Sequence, residues 1–427
     1  MYSEDIFSAL KPLYYFSKIV GLAPYEIARG FNKKEKTVMK VSRNGIIYSV
    51  FMICVNIVAF AAALMWEMNN YYTKVSKSVM ASNILYWVFT LATTISGLLL
   101  QGVIYRNKLV NILSTIQSFD NDFFNGYKSY ERTLICIIIE VVVYFIIFMV
   151  LSFYDMWVRM HIIGYEINYL GIYLFCLINF AVALQFLNLV KFVHDRLSIL
   201  NERISRLIKN CSNLSENNSN ASQKIFTIVT KNTTNTLAFQ KFRRSDNGIL
   251  TGRKTRNETY ILEKLRTLRK QQNTLRNLAN AVNKTYGIQI FLQITTTFID
   301  ITCNLYFSLQ FAFLEEHSDK HSISDDKHVF CTKLGWSVVM AFKVFCIATL
   351  CHITTAEASR TGDLLQHHLL PPPTDIDLTL EIQFFLQQVI SSPLRFTAYG
   401  FFDLDRSVIC SFVGGVTTYL IVLLQFH

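Results

Sequence analysis

The chain has 427 residues, of which 52% are hydrophobic and only 17% are charged, and it contains 34 Phe and 21 Tyr. A soluble globular domain has about 25% charged residues, so this composition is typical of a polytopic membrane protein. The formal net charge of +11 is concentrated in loops beside apolar segments, so membrane topology explains it better than nucleic-acid binding does.

Windowed hydropathy predicts an all-α membrane protein with seven transmembrane helices. The predicted spans are 45–66, 81–105, 133–153, 169–190, 287–314, 334–355 and 407–426. Lys11 and Lys18 interrupt the first apolar run, so we expect no signal peptide and predict that the first span directs insertion. The domain plan is a cytosolic segment 1–44, spans 1 to 4 in 45–190, a cytosolic segment 191–286, spans 5 and 6 in 287–355, a cytosolic anchor segment 356–406, and the last span in 407–427.

The distribution of basic residues predicts the orientation of these spans. The polar segment 191–286 contains 19 Lys and Arg against 6 Asp and Glu. The loop 315–333 on the opposite side is short and acidic. The positive-inside rule therefore predicts a cytosolic N-terminus, and seven crossings then place the C-terminus outside. This orientation is opposite to that of a G-protein-coupled receptor.

The segment 191–286 carries one feature that opposes a cytosolic location. Asn-x-Ser/Thr sequons, which are usually read as lumenal, lie in it, among them those at Asn213, Asn217, Asn220, Asn232, Asn257 and Asn283. The segment is rich in Asn, Ser and Thr, so composition alone can produce them. We predict a disordered insert at about 211–258. Apolar residues at helical spacing on both flanks predict that spans 4 and 5 continue as cytosolic helices.

The segment 356–406 predicts one further helix. Pro371, Pro372 and Pro373 break the chain, and Thr374 or Asp375 caps a helix of about 376–390 that ends before Pro393. Its apolar residues are too numerous for a solvated helix, so we expect it to pack in an intracellular anchor domain.

The last span carries no charge between Ser407 and Phe426. Small or polar residues and one valine recur along it at helical spacing: Ser411, Gly415, Thr418, Val422 and Gln425. Such a stripe is typical of helix–helix packing in membranes, and a pore lining is the alternative interpretation.

Three motifs resemble those of the insect gustatory receptors. Thr418 and Tyr419, five apolar residues, then Gln425 and Phe426 match that family's C-terminal Thr-Tyr-(apolar)5-Gln-Phe motif in full. Residues 396–402, Phe-Thr-Ala-Tyr-Gly-Phe-Phe, fit the pattern that precedes it. Residues 17–25, Ser-Lys-Ile-Val-Gly-Leu-Ala-Pro-Tyr, resemble the N-terminal segment of the fructose-receptor-like branch. The resemblance implies a tetrameric ligand-gated cation channel whose last helix lines the pore, with Gln425 and Phe426 as its gate.

Ionisable residues inside predicted spans are costly and point to function. Glu140, Asp300 and Lys343 are the residues of this kind. Asp300 and Lys343 lie about 13 and 12 residues from the inner ends of their spans, hence at similar depth. We predict that they form a buried ion pair or share a polar network; the alternative is that each reaches a water-filled vestibule separately.

A sugar site needs aromatic faces together with groups that hydrogen-bond to hydroxyls. Asp155, Trp157, Asn304 and Trp336 supply such groups near the outer ends of spans 3, 5 and 6. The resemblance implies pocket positions at Asn304 and Trp336. The alternative for Trp157 and Trp336 is an interfacial aromatic belt.

Together with these residues, the resemblance implies a sugar-gated, non-selective cation channel, with fructose as the favoured ligand, in the plasma membrane of chemosensory neurons. No catalytic constellation, metal-ligand cluster or phosphate-binding loop is present in the sequence, so we expect neither an enzyme nor a cofactor. A receptor for bitter or other compounds is the first alternative. A G-protein-coupled receptor is disfavoured by the basic loops, and a secondary transporter by the lack of internal repeats.

Overall fold

The computed structural model describes residues 6–28, 38–70, 77–124, 130–163, 170–231, 236–313, 323–369 and 376–425. The described helices are α1 (Ile6–Ile19), α2 (Arg43–Asn70), α3 (Lys77–Gly97), α4 (Arg106–Phe124), α5 (Glu131–Val158), α6 (Leu170–Lys231), α7 (Thr236–Phe313), α8 (Ile323–Leu369), α9 (Ile376–Ser391) and α10 (Arg406–Gln425). Two strands, β1 (Tyr25–Ala28) and β2 (Val38–Val41), pair antiparallel. Short π-helical segments continue α3 (Leu98–Ile104) and α5 (Arg159–Ile163).

The N-terminal segment differs from its predicted form. The sequence predicts an interfacial helix or re-entrant stub over 16–25, whereas α1 ends at Ile19 and a strand begins at Tyr25. Gly21 adopts φ +82, Gly21 N donates to the Lys18 carbonyl, and Leu22 N donates to the Ser17 carbonyl at 2.8 Å. This is a Schellman cap, which glycine permits because it has no β-carbon.

Six of the described helices are long and apolar enough to cross a membrane, and they correspond to predicted spans 1 to 4, 6 and 7. The predicted fifth span is helical within α7. The chain is a nearly all-helical membrane protein, as the sequence predicts. Which side each loop faces stays a prediction.

The segment 191–286 differs from its prediction in the middle. Both flanks are helical as expected, but α6 continues to Lys231 and α7 begins at Thr236, so most of the predicted disordered insert at 211–258 has helical backbone.

The described chain divides into two compact units, one of residues 6–191, 278–352 and 395–425, and the other of residues 192–277 and 353–394. The core of the first unit joins α5, α6, α7, α8 and α10. Its buried members are Phe148, Cys176, Phe180, Ile301, Met340 and Val416. A smaller cluster of Cys303 and Tyr306 on α7 packs against Leu420 and Leu423 of α10.

The second unit contains the predicted anchor helix, observed as α9. Phe385 and Ile382 bury one face of α9. Glu381, 6% exposed, accepts an ion pair from Arg269 at 2.9 Å and another from Arg266 at 3.3 Å. Two arginines on one buried carboxylate fix the register of α9 on α7.

Candidate functional site: a polar cavity inside the helix bundle

A polar cavity lies between α3, α6, α7 and α8 in the first unit. It encloses about 320 Å³ of empty space including its mouth, and its interior admits only a water-sized guest. Most of its accessible wall is apolar, and the polar groups among the lining residues are hydroxyls, amides and two opposite charges. The lining residues are Tyr86, Thr90, Thr93, Cys176, Asn179, Gln293, Thr296, Thr297, Asp300, Met340 and Lys343. A wall of this kind can hydrogen-bond to a ligand with several hydroxyl groups.

The structure brings Asp300 and Lys343 to the same cavity. They are 5% and 7% exposed, and no ion pair joins them within the described chain. Asp300 Oδ1 instead accepts a 2.8 Å hydrogen bond from Asn304 Nδ2. Lys343 Nζ lies 5.1 Å from the centre of the Phe180 ring and 3.6 Å from Met340 Sδ. Each charge is thus contacted by neighbouring side chains, Asp300 by Asn304 and Lys343 by Phe180 and Met340, and the two charges are not paired with each other.

A belt of hydroxyls and amides continues the cavity wall, and the sequence analysis did not identify it. Thr93 and Thr296 share a 2.6 Å hydrogen bond between their hydroxyls. Asn179 Nδ2 donates to Thr94 Oγ1 at 3.0 Å, and Gln293 Nε2 donates to the Asn179 carbonyl at 2.7 Å. The signal was present in the sequence, because polar residues recur at helical spacing within the predicted fifth span: Gln289, Gln293, Thr296, Asp300 and Asn304.

Two amide oxygens in this belt lack hydrogen-bond donors. Asn179 Oδ1 and Gln293 Oε1 are buried without a partner in the structure, although both residues line the cavity. An unsatisfied buried acceptor costs about 1–3 kcal/mol. A hydroxyl-bearing guest would remove that penalty, so these oxygens are candidate ligand contacts.

Asp155 and Trp336, two predicted ligand residues, are joined by Tyr173. The Tyr173 hydroxyl donates to Asp155 Oδ2 at 2.7 Å, and its ring stacks on Trp336 with centroids 6.5 Å apart. Arg159 donates to the same carboxylate oxygen at 2.8 Å. Trp336 also packs on the core cluster that contains the cavity residues Cys176 and Met340. Asp155 is therefore already neutralised, which makes it a positioning group for Tyr173 and Trp336.

Trp157 lies apart from that group. Its side chain is 45% exposed and stacks on His161 at 5.5 Å. It also meets the edge of His328 at 5.3 Å, while the Tyr154 hydroxyl and His328 Nδ1 lie 2.9 Å apart. The exposure of Trp157 and its aromatic neighbours favour the aromatic-belt interpretation for this residue.

Glu140 is not among the residues that line the cavity. Its carboxylate pairs with Lys191 of α6, and both side chains are a little over one third exposed. The pair explains how an acid is tolerated inside the third span.

The predicted gate stripe lies on an open face of α10. Ser411, Thr418, Val422 and Gln425 are exposed in the single chain, whereas Gly415 is covered by the ring of Phe298 on α7. Tyr419 is 58% exposed and meets Phe298 edge-on at 5.7 Å. Gln425 is the last residue of α10, and Phe426 lies outside the described residues.

Helix α7 connects the cavity to α10. Its residues Gln293, Thr296 and Asp300 face the cavity. Other residues of the same stretch of α7 pack on α10. The ring centres of Phe298 and Phe412 are 5.6 Å apart, and Ile301 belongs to the same core cluster as Val416. A shift of α7 at the cavity therefore displaces the surface on which α10 packs.

These features define a helical membrane protein with a polar cavity inside its bundle, coupled by packing to its last helix. The family model described as 7tm Chemosensory receptor matches residues 10–427, and the chain belongs to that family of receptors. The resemblance to insect gustatory receptors is thereby confirmed.

Relatives of known name are all gustatory receptors of Drosophila melanogaster. Gustatory receptor 2a is 30% identical over 35% of this chain and 38% of its own length. The gustatory receptor for bitter taste 66a is 28% identical over 40% of this chain and 32% of its own length. The gustatory receptor for sugar taste 43a is 22% identical over 38% of this chain and 36% of its own length. Each match spans between 32% and 38% of the relative's length.

Solved structures share the fold across the whole chain. The insect olfactory receptor OR5 from Machilis hrabei in complex with eugenol aligns over 99% of both chains with a TM-score of 0.63 and 13% identity. A second structure of that receptor aligns with a TM-score of 0.58 and 12% identity. At this identity the likeness establishes the fold alone.

Proposed function

We propose that this chain is a gustatory receptor that acts as a sugar-gated, non-selective cation channel in the plasma membrane of chemosensory neurons. Fructose is the favoured ligand, and four copies of the chain surround one pore. The observation that carries the proposal is the position of α7, which faces the polar cavity on one side and packs on α10 on the other.

The cavity wall suits a sugar. Asn179 Oδ1 and Gln293 Oε1 are unpaired acceptors for sugar hydroxyls, and Asp300 adds a carboxylate acceptor. Lys343 supplies a donor, and the Tyr86 ring supplies a face for the apolar side of a sugar ring. An isostere without these hydroxyls would leave the amides unpaired, which gives the site selectivity.

The small size of the cavity links ligand binding to gating. Because the cavity admits only a water-sized guest as it stands, a sugar requires α7 and α8 to separate from α3 and α6. The ligand then favours the widened arrangement by the difference in its affinity for the two arrangements. Phe298 on α7 and Met340 on α8 carry that displacement to Phe412 and Val416 of α10.

The gate in this proposal lies at the end of α10. Thr418 and Val422 face the axis, and Gln425 and Phe426 close it. Phe426 excludes water from the constriction when closed, and Gln425 lines it when open. Monovalent and divalent cations are the permeant ions.

A receptor for bitter compounds is the second candidate. The relative named for bitter taste is 28% identical to this chain, and the relative named for sugar taste is 22% identical. The two candidates share the channel mechanism and differ only in ligand.

The test is whole-cell current from cells that express this chain alone, perfused with fructose, other sugars and bitter compounds during G-protein block. We expect a rapid inward cation current to fructose that is lost in Asp300→Asn. The control is Asp122→Asn, the same change at an exposed position of α4. A current to bitter compounds only would replace the sugar by the second candidate, and a current abolished by G-protein block would refute the channel.

A further inference from the structure

A second cavity lies beneath the N-terminal helix, away from the residues assigned above. It encloses about 430 Å³ of empty space including its mouth. Helix α1 forms one wall with Leu13 and Ser17, α4 contributes Leu113, α6 contributes Gln185 and Leu189, and α7 contributes Tyr286. All six side chains are at most 6% exposed.

The accessible wall is mostly apolar, and the lining residues that carry polar groups are Tyr14, Ser17, Tyr25, Gln185, Asn188 and Tyr286. Tyr286 OH donates to Gln185 Oε1 at 3.2 Å, which satisfies those two groups. Ser17 Oγ, by contrast, is fully buried and has no hydrogen-bond partner. A serine inside a helix ordinarily returns its hydroxyl to the carbonyl one turn earlier. Ser17 does not, and it lines a space that as it stands admits only water-sized guests, so a larger guest enters only if α1 moves away from α4 and α6.

We propose that this cavity is a modulatory site for a small, uncharged apolar molecule with one hydroxyl or carbonyl group, the chemistry of a medium-chain alcohol. The leucines take the hydrocarbon part, and Ser17 Oγ bonds to the oxygen. None of the described residues that line the cavity carries a charged side chain, so the wall favours a neutral guest.

The cavity is linked by packing to the segment that enters α10. Tyr286 lies 5.7 Å from Phe186, and Phe186 lies 6.4 Å from Phe396, measured between ring centres. A β-carbon built on Gly287 would lie 3.2 Å from the backbone nitrogen of Tyr399 in the same loop. A guest that displaces Tyr286 therefore shifts the loop before α10, and it does so without entering the cavity of Asp300.

The test uses the purified full chain in lipid nanodiscs, a diazirine derivative of octanol as photolabel, and n-hexanol as competitor. We expect label on α1 or α4 beside Ser17, displaced by hexanol. In Ser17→Ala we expect hexanol to compete about three to ten times more weakly, because one hydrogen bond between neutral groups is lost. Ser114→Ala, an exposed serine one residue after Leu113, is the matched control.

A second variant, Leu113→Phe, fills the cavity and is expected to abolish labelling there while the protein stays monodisperse. Label that hexanol does not displace would mean that the cavity holds water only and would overturn the proposal. Label confined to the Asp300 cavity, or competition unchanged in a well-folded Ser17→Ala, would do the same. Because labelling does not depend on current, failure here is distinct from failure of the channel proposal.

Discussion

The ring of Phe298 lies against the backbone of Gly415, so closely that a β-carbon built on the glycine would be 2.9 Å from Phe298 Cε2. The same ring meets Phe412 and Tyr419 edge-on, at 5.6 and 5.7 Å. Phe298 therefore occupies a notch on α10 that Gly415 creates. The contact joins the helix that lines the polar cavity to the helix proposed to line the pore.

The first prediction concerns this notch. Gly415→Ala forces the Phe298 ring outward, and overpacking of this kind costs about 1–3 kcal/mol. Since the packed arrangement is the one with the narrow cavity, we expect a larger current without ligand and activation at lower sugar concentration. Whole-cell dose–response curves measure both.

Gly414→Ala is the matched control for that prediction. A β-carbon at Gly414 would meet nothing within 4 Å, so we expect wild-type gating. Equal effects of the two substitutions would mean that helix flexibility, and not the notch, explains the change.

The second prediction concerns the two charges of the cavity. Asp300→Asn and Lys343→Met each remove one of the two charges that line the cavity, so each is expected to lower the sugar response strongly. The double variant restores neutrality, and we expect it to lose less than the sum of the single losses, with a coupling of about 1–3 kcal/mol. Dose–response curves of the four proteins give this cycle. Strict additivity would mean that the two groups act independently.

The third prediction compares neighbouring threonines on α10. Thr418 and Thr417 each donate to the carbonyl one turn earlier, at 2.8 and 2.9 Å. Replacing either hydroxyl should therefore change the stability of α10 by the same amount. Only Thr418 lies on the proposed pore stripe. In a Cys410→Ser background, we expect a thiol reagent to block current through Thr418→Cys when sugar is present and to leave Thr417→Cys unaffected. Block of both, or of Thr417→Cys alone, would place the pore face elsewhere.

The fourth prediction concerns the start of α10. Asp405 Oδ1 accepts hydrogen bonds from the Ser407 hydroxyl and from Ser407 N, the latter at 2.8 Å, so Asp405 caps the helix. Asp405→Ala is expected to cost about 1 kcal/mol and to speed amide exchange in the first turn of α10 about fivefold. Asp403→Ala is the control, because Asp403 makes only an exposed 3.7 Å pair with Arg395.

The cap also predicts a pH dependence. The hydrogen bonds from Ser407 hold the pKa of Asp405 below its ordinary value. The stabilisation is therefore complete above the ordinary pKa of about 4 and is lost as the pH falls through the lower folded value. Protection of the first turn should be constant between pH 6 and 8. A change in that range would mean that another group supplies the cap.

The sequence predicts the spans well because long apolar runs need no tertiary information. It also places the anchor helix, observed at Ile376–Ser391, because prolines and serines punctuate both ends. It fails on α4 and on the β1–β2 hairpin. The periodicity of α4, seen in the buried Leu109, Ile112 and Ile116, lies between the second and third predicted spans, where the hydropathy pattern predicts no helix. The hairpin depends on pairing between Tyr25 and Val41, which no local pattern reveals.

The candidate site was only partly predictable, for a similar reason. Asp300, Lys343 and Asn304 are visible as costly groups inside spans. That Asn304 bonds to Asp300, and that no ion pair joins Asp300 to Lys343, depends on side-chain geometry across helices. The threonine and amide belt was readable as a stripe on α7, yet its partners on α3 and α6, such as Thr93 and Asn179, are set only by packing.

The most direct test of the central claim is cation flux through the purified chain reconstituted alone into liposomes, with fructose added. No G protein or other subunit is present, so flux can arise only from the chain itself. We predict flux that depends on fructose and is absent in Asp300→Asn. If the correctly inserted chain binds fructose but no flux is observed, the chain is not by itself a channel.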